Sequence, residues 1–266
     1  MSGGEHESKK LFDTHCHLDL EPLCSNIDGV LQDAEFEGVN GFIVPAVGRS
    51  SWQRLRRLSE RFEQVYYAVG LHPAFLDEHQ ACDLLALERA LELNSRRCVA
   101  VGEVGMDKRF GALELQLELF EAQLALAAQY KKPVIVHSVG MHDCVARVLK
   151  RAASVSGVVH AFSGSYEQAK LFVDQGFRLG IGPVICRAQG KTANAVRRLP
   201  LDSLLIETDS PNMYLPSASS KKGAPKDLSF VLECLSDLVG VNRRDLAEML
   251  QENCEKLFFS PETREV

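Results

Sequence analysis

Short apolar runs alternate with stretches of helical periodicity along almost the whole chain. The runs begin near residues 11, 41, 65, 98, 133, 157, 177 and 204. Most lack an inside–outside alternation, as expected of parallel strands covered on both faces. The intervening stretches place apolar residues on one helical stripe. Ile27, Val30, Leu31 and Ala34 stand at i, i+3, i+4 and i+7, and Gly38 ends that helix. Trp52, Leu55, Leu58 and Phe62 mark the next helix, and the pattern returns at 83–93, at 112–130, around Val145 and Leu149, around Tyr166 and Ala169, and around Ala195. Helical stripes at 228–239 and 246–258 close the chain. Eight such β–α cycles predict an α/β fold of the TIM (β/α)8 barrel type. The alternative, an open doubly wound sheet, lacks a glycine-rich dinucleotide fingerprint after the first strand. No break in composition divides the chain, so one barrel over 11–260 is expected, preceded by a flexible N-terminal segment, 1–10. The long irregular loop is 210–225.

A barrel of this kind carries its active site at the C-terminal ends of its strands. Those ends supply His15 and His17 from the first strand, His72 after the third, Glu103 from the fourth, His137 from the fifth, His160 from the sixth and Asp209 from the eighth. Alternate residues of a strand share a face. Extended backbone over 11–18 would therefore aim His15 and His17 at one point. By the same rule Val99 and Val101 share a face with Glu103, Ile135 with His137, Val158 with His160, and Leu205 and Glu207 with Asp209. A donor set this rich in imidazole suits zinc first, with magnesium or manganese as alternatives. The set His15, His17, Glu103, His137, His160 and Asp209 exceeds one tetrahedral site, which predicts two divalent metal ions sharing a carboxylate. Such a pair would acidify a water, with Asp209 as the catalytic general base. Hydrolysis of an ester, a phosphoester or an amide follows, and spacing alone does not choose among them.

Composition narrows the partners. A net charge of −6 argues against broad, non-specific coating of nucleic acid, though not against local phosphate contacts. The eight cysteines form no Cys-x-x-Cys pair and read as reduced core thiols. Residues 1–10 are polar rather than signal-like, and no run reaches the length of a membrane span, so a cytoplasmic protein without membrane contact is expected.

Six segments then resemble, in order, the signature segments of the TatD family of metal-dependent hydrolases. They are Asp-Thr-His-Cys-His-Leu-Asp at 13–19, Gly-Leu-His-Pro at 70–73, Gly-Glu-Val-Gly-Met-Asp at 102–107, Pro-Val-Ile-Val-His-Ser at 133–138, His-Ala-Phe-Ser-Gly-Ser at 160–165 and Glu-Thr-Asp-Ser-Pro at 207–211. The similarity runs from about residue 10 to 258 and is nearest to the bacterial YjjV-type branch. It implies an amidohydrolase-like barrel and a deoxyribonuclease or phosphoesterase activity, of the 3′-5′ exodeoxyribonuclease kind. By resemblance, His15, His17 and Asp209 hold one metal, His137 and His160 the other, Glu103 bridges, and His72 contacts the substrate phosphate. The implied partners are DNA ends, short single-stranded nucleic acid or a small phosphoester, acted on by a monomer. An esterase or amidase acting on a small metabolite is the alternative. Two departures bear on the pocket rim: Val139 stands where the family usually has Arg, and Gly-Ala-Pro at 223–225 where it has Asn-x-Pro.

Other residues are given supporting or surface roles. Cys16 should point away from the ligands, and Glu207 and Asp13 should steady them through hydrogen bonds. His142 is left between solvent and pocket. Arg187, Lys191, Lys221 and Lys222 fall where barrels often bind phosphate, although solvated charge is the simpler reading. Phe75, Phe110 and Tyr214 sit in loops on the site face, where base stacking and local packing are both open.

Overall fold

Strands form where β-branched and small apolar residues cluster, and each closes against its sequence neighbour. A computed structural model describes residues 11–260 apart from 94, 153 and 188; the segment 1–10 expected to be flexible lies outside the described residues. The strands are β1 (Leu11–Asp13), β2 (Val39–Pro45), β3 (Val65–Val69), β4 (Cys98–Asp107), β5 (Val134–Val139), β6 (Gly157–Val159), β7 (Arg178–Ile181) and β8 (Leu204–Ile206). They make one eight-stranded parallel sheet in the order β1 to β8. Helices α1 (Ile27–Phe36), α2 (Arg49–Arg61), α3 (Asp83–Glu92), α4 (Leu113–Gln129), α5 (His142–Arg151), α6 (Tyr166–Val173) and α7 (Lys191–Val196) connect them, and α8 (Leu228–Val239) and α9 (Arg243–Phe258) follow β8. Among the described residues no helix is long and apolar enough to cross a membrane.

The sheet curls into a nearly closed barrel. Its last gap is spanned beyond the strand ends: Thr14 donates to the Ile206 carbonyl from its backbone N at 3.1 Å and its Oγ1 at 2.9 Å. The Asp209 N–H donates to His15 O at 2.8 Å, and the His17 N–H to Ser210 O at 2.7 Å. The two segments that carry ligand candidates thus become neighbours through their backbones.

Two apolar layers fill the fold. Ile43, Ala68, Ala100, Ile135, Val158 and Leu205 pack inside the barrel, over a floor of Leu257 and Phe258 from α9. Val44, Val101, Val136, Val159 and Ile206 face outward onto helix residues such as Leu55, Phe120, Leu149 and Phe172. Burying one such aromatic side chain contributes about 2–3 kcal/mol. Gly41 is required where the Phe12 ring fills the interior, because a Cβ there would lie 2.3 Å from it.

Two sequence expectations need correction. The first strand does not run to His17: β1 ends at Asp13, the chain bends at Thr14 and His15, and bonds from Thr14, Cys16 and His17 to the segments on either side hold the stretch in place. Alternation also fails in β4, where Ala100 belongs to the inner layer and Val101 to the outer one. The β4–β5 register shifts between Gly102 and Val104, which turns Glu103 inward out of phase with Val101. For β5, β6 and β8, Ile135, Val158 and Leu205 face inward as expected.

Candidate metal centre

Glu103 occupies the middle of the site. Its Oε1 lies 2.7 Å from His137 Nδ1, 2.7 Å from His160 Nε2 and 2.9 Å from His72 Nε2. Its Oε2 faces the other way, 3.4 Å from His15 Nε2 and 3.8 Å from His17 Nε2. Asp209 Oδ1 completes that side at 3.7 Å from His15 and 3.6 Å from His17. Every side chain predicted for the site therefore converges, in two groups divided between the two oxygens of one carboxylate. All seven residues are buried. All but His15 line a cavity of about 580 Å³ that also includes Leu20, Phe75, Arg109, Phe110, Ser138, Val139 and Asn212 in its walls.

The donor set fits divalent cations. His15 Nε2 and His17 Nε2 approach to 3.3 Å, a contact at which only one of two neutral rings can carry the proton, so a lone pair is aimed into shared space. Donor atoms of His15, His17 and Glu103, of His72, Glu103 and His137, and of His15, His160 and Asp209 each fall within 4.8 Å of one another. Imidazole nitrogens and carboxylate oxygens gathered this closely suit a borderline metal such as zinc.

Charge points the same way. Burial opposes ionisation of Glu103, yet His160, His72 and His15 hold its carboxyl well below the usual range. Burial would also lower His160, but Glu103, Glu207 and Asp209 raise it to about 9. His15, buried and beside His160, is pushed down to about 4. Burial lifts Glu207 to about 8 and Asp13 to about 7. The carboxylates around His160 favour a proton on it, and that proton serves where a cation would.

The supporting contacts fix ring orientation. His137 presents Nδ1 to Glu103 and donates from Nε2 to Asp107 Oδ2 at 2.8 Å. His72 Nδ1 accepts from the Ala74 N–H at 3.0 Å, so its proton sits on Nε2 and points at Glu103. Asp13 accepts from Thr208 N at 2.9 Å, Thr208 Oγ1 at 2.6 Å and His15 N at 3.3 Å, locking β1 to the segment after β8. Asp209 has φ 48°, a left-handed conformation that Asp tolerates. Its N–H to His15 O and its carbonyl, which accepts from Met213 N at 2.9 Å, hold it there.

A family profile described as TatD related DNase matches residues 12–259. The chain belongs to the TatD family. It is 39% identical to the metal-dependent hydrolase YjjV of Escherichia coli K12, over 95% of this chain and 99% of that one. The crystal structure of the E. coli YjjV TatD homologue superposes with a TM-score of 0.91 at 38% identity, covering 96% of this chain and 100% of that one. Identity to the 3′-5′ ssDNA/RNA exonuclease TatD of Pantoea ananatis is 29%, over 93% of this chain and 98% of that protein. This TatD chain is a metal-dependent hydrolase.

Sequence reasoning gave no role to four residues of the TatD site. Asp107 and Thr208 lie inside quoted segments, but nothing in their spacing reveals which ligand candidate each touches. Ser138 meets His142 Nδ1 through its Oγ at 2.7 Å, which settles His142 as a buried residue behind the pocket wall, stacked on Phe162. Arg109 folds back on Asp107 at the cavity mouth. Cys16 is fully buried in the outer layer, turned away from the ligand candidates as expected. Phe75 and Phe110 line the cavity; Tyr214, Arg187, Lys191, Lys221 and Lys222 are not among its lining residues.

Proposed function

We propose that this protein cleaves phosphodiester bonds at the ends of short or single-stranded nucleic acid, as a 3′-5′ exonuclease-type TatD enzyme. One observation carries the reading: Glu103 divides its oxygens between two imidazole groups at the base of an open cavity, the arrangement of a bridging ligand between two divalent ions. In this reading His15, His17 and Asp209 would hold one ion and His137 and His160 the other. Bound there, such ions supply Lewis acidity toward a phosphoryl group and bring a water toward neutral pKa.

The chain's own residues do the rest. Asp209 borders both the His15–His17 pair and the cavity, where it accepts the proton of the attacking water and returns it to the leaving oxygen. His72 lines the cavity with its proton fixed on Nε2, and it would turn that donor from Glu103 to a phosphate oxygen once Glu103 holds cations. The residues at the base are themselves buried, which strengthens each of these interactions. The exonuclease named among the relatives supports nucleic acid over a small ester.

A substrate panel tests the reading. Protein supplied with zinc, manganese or magnesium is offered a 3′-labelled single-stranded oligodeoxynucleotide, a phosphomonoester and an acyl ester. Stepwise loss of 3′ nucleotides is expected; acyl-ester turnover without any phosphoester cleavage would replace this function with an esterase.

A further inference from the structure

Arg109 is the sole Lys or Arg among the described residues that line the cavity. It is anchored rather than free-swinging: its backbone N, Nε and Nη2 all donate to Asp107, at 2.9, 3.0 and 2.6 Å. Nη1 has no partner among the described residues, and 62% of the side chain is exposed. The register pairs Asp107 with Val139, and Arg109 and Val139 both line the cavity. Neighbouring Phe110 is half-exposed on the same wall, with Arg109 Cζ 5.5 Å from its ring centroid, so cation and aromatic ring form one surface of the kind that meets a phosphate and its base.

Position decides what this cation can reach. Asp107 bonds His137 at 2.8 Å, and His137 bonds Glu103 at 2.7 Å through the opposite ring nitrogen. Two hydrogen bonds and the imidazole between them set Glu103 and Asp107 roughly 7 Å apart, and Arg109 lies beyond Asp107. One phosphoryl group seated at Glu103 does not extend to Nη1. A second anion one step along the substrate does.

We propose that Arg109 binds the phosphate adjacent to the scissile one, so that the substrate class is a nucleotide chain end bearing at least two phosphates. This rests on the nuclease reading above. A guanidinium held on one edge by a carboxylate keeps its other edge pre-oriented, and such charge-assisted bonds are stronger than neutral ones. The expected preference for the doubly phosphorylated end is about 10- to 100-fold.

The test compares the dinucleotides TpT, pTpT and TpTp as substrates of the metal-loaded protein. Wild type should favour one phosphorylated dinucleotide over TpT by at least about tenfold in kcat/KM. Arg109→Gln should reduce that ratio to near one, and Arg109→Lys should restore part of it. Each ratio is taken on one variant, so a disturbance passed through Asp107 to His137 affects both substrates and cancels. Calorimetry adds a readout without turnover: thymidine 3′,5′-bisphosphate should bind wild type more tightly than either monophosphate, and the margin should vanish in Arg109→Gln. Equal cleavage of all three by wild type, or an unchanged ratio in Arg109→Gln, overturns the Arg109 role and leaves the nuclease reading standing. Cleavage of none of them overturns both.

Discussion

Asp107 Oδ2 accepts from His137 Nε2 at 2.8 Å, and the same carboxylate is gripped by Arg109. Burial disfavours its charge, but these donors hold the acid well below the ordinary carboxylate range. The pair fixes His137 with Nδ1 free to face Glu103. Partners of this kind are worth about 10- to 100-fold in metal affinity. Asp107→Ala should weaken binding of the second ion by that factor and leave the first in place, as read by zinc titration with a chelating indicator. Unaltered binding of both ions would mean that packing alone orients the ring.

Asp209→Asn and His137→Ala separate the roles assigned to these residues. The amide keeps a coordinating oxygen but accepts no proton, so most of the rate should disappear while much of the metal stays. Loss of His137 should instead remove one equivalent of metal. Elemental analysis beside single-turnover rates distinguishes them; near-wild-type activity in Asp209→Asn rules out the base.

Asp13 joins the chain's first strand to the segment after its last. Asp13→Ala leaves the Thr208 N–H buried without its acceptor, and a cost of about 2–4 kcal/mol is expected. Urea denaturation of the metal-free protein measures it. A change under 1 kcal/mol would show that barrel closure rests on the Thr14 and Asp209 backbone bonds instead.

The metal-free protein should lose stability as pH rises from about 6.5 to about 9. His160 is raised from 6.5 to about 9, so below 6.5 its contribution is whole, and it is lost as the folded form deprotonates. Glu207, raised to about 8, and Asp13, raised to about 7, also make the folded state bind more protons than the unfolded one. Below 6.5, His15, lowered to about 4, works in the opposite direction. Thermal melts across this range should fall steadily, and Glu207→Gln should flatten the slope. A metal-free Tm that is level or rising between pH 6.5 and 9 contradicts a proton held on His160 and Glu207 in the folded state.

Thiol labelling probes the layers independently. Cys24 and Cys82 are exposed, whereas Cys16, Cys98 and Cys254 are buried. Burial raises Cys98 to about 11 and lifts Cys16 and Cys254 well above the ordinary thiol range, which leaves little thiolate at pH 8. Iodoacetamide at pH 8 should modify Cys24 and Cys82 in the native protein and the buried three only after denaturation, as mapped by peptide mass spectrometry. Native-state labelling of Cys16 would contradict its place in the outer layer behind His15 and His17.

The sequence by itself determined the barrel and the ligand candidates. Periodicity reports burial, and a strand covered on both faces writes an unbroken apolar run whose polar terminus is conspicuous; His137 and His160 stand out for that reason. Tertiary structure alone decided how those termini meet. The register shift in β4 reverses the face of Glu103, and no local pattern in the sequence records pairing with β5. Bonds between residues 14–17 and 206–210, nearly two hundred positions apart in the chain, bring His15, His17 and Asp209 to one side of that carboxylate. Asp107, Thr208 and Arg109 gain their roles from neighbours contributed by other segments or by a fold-back of the loop. Spacing encodes which residues share a face of one element; which oxygen of Glu103 each histidine reaches is set by the closure of the whole sheet.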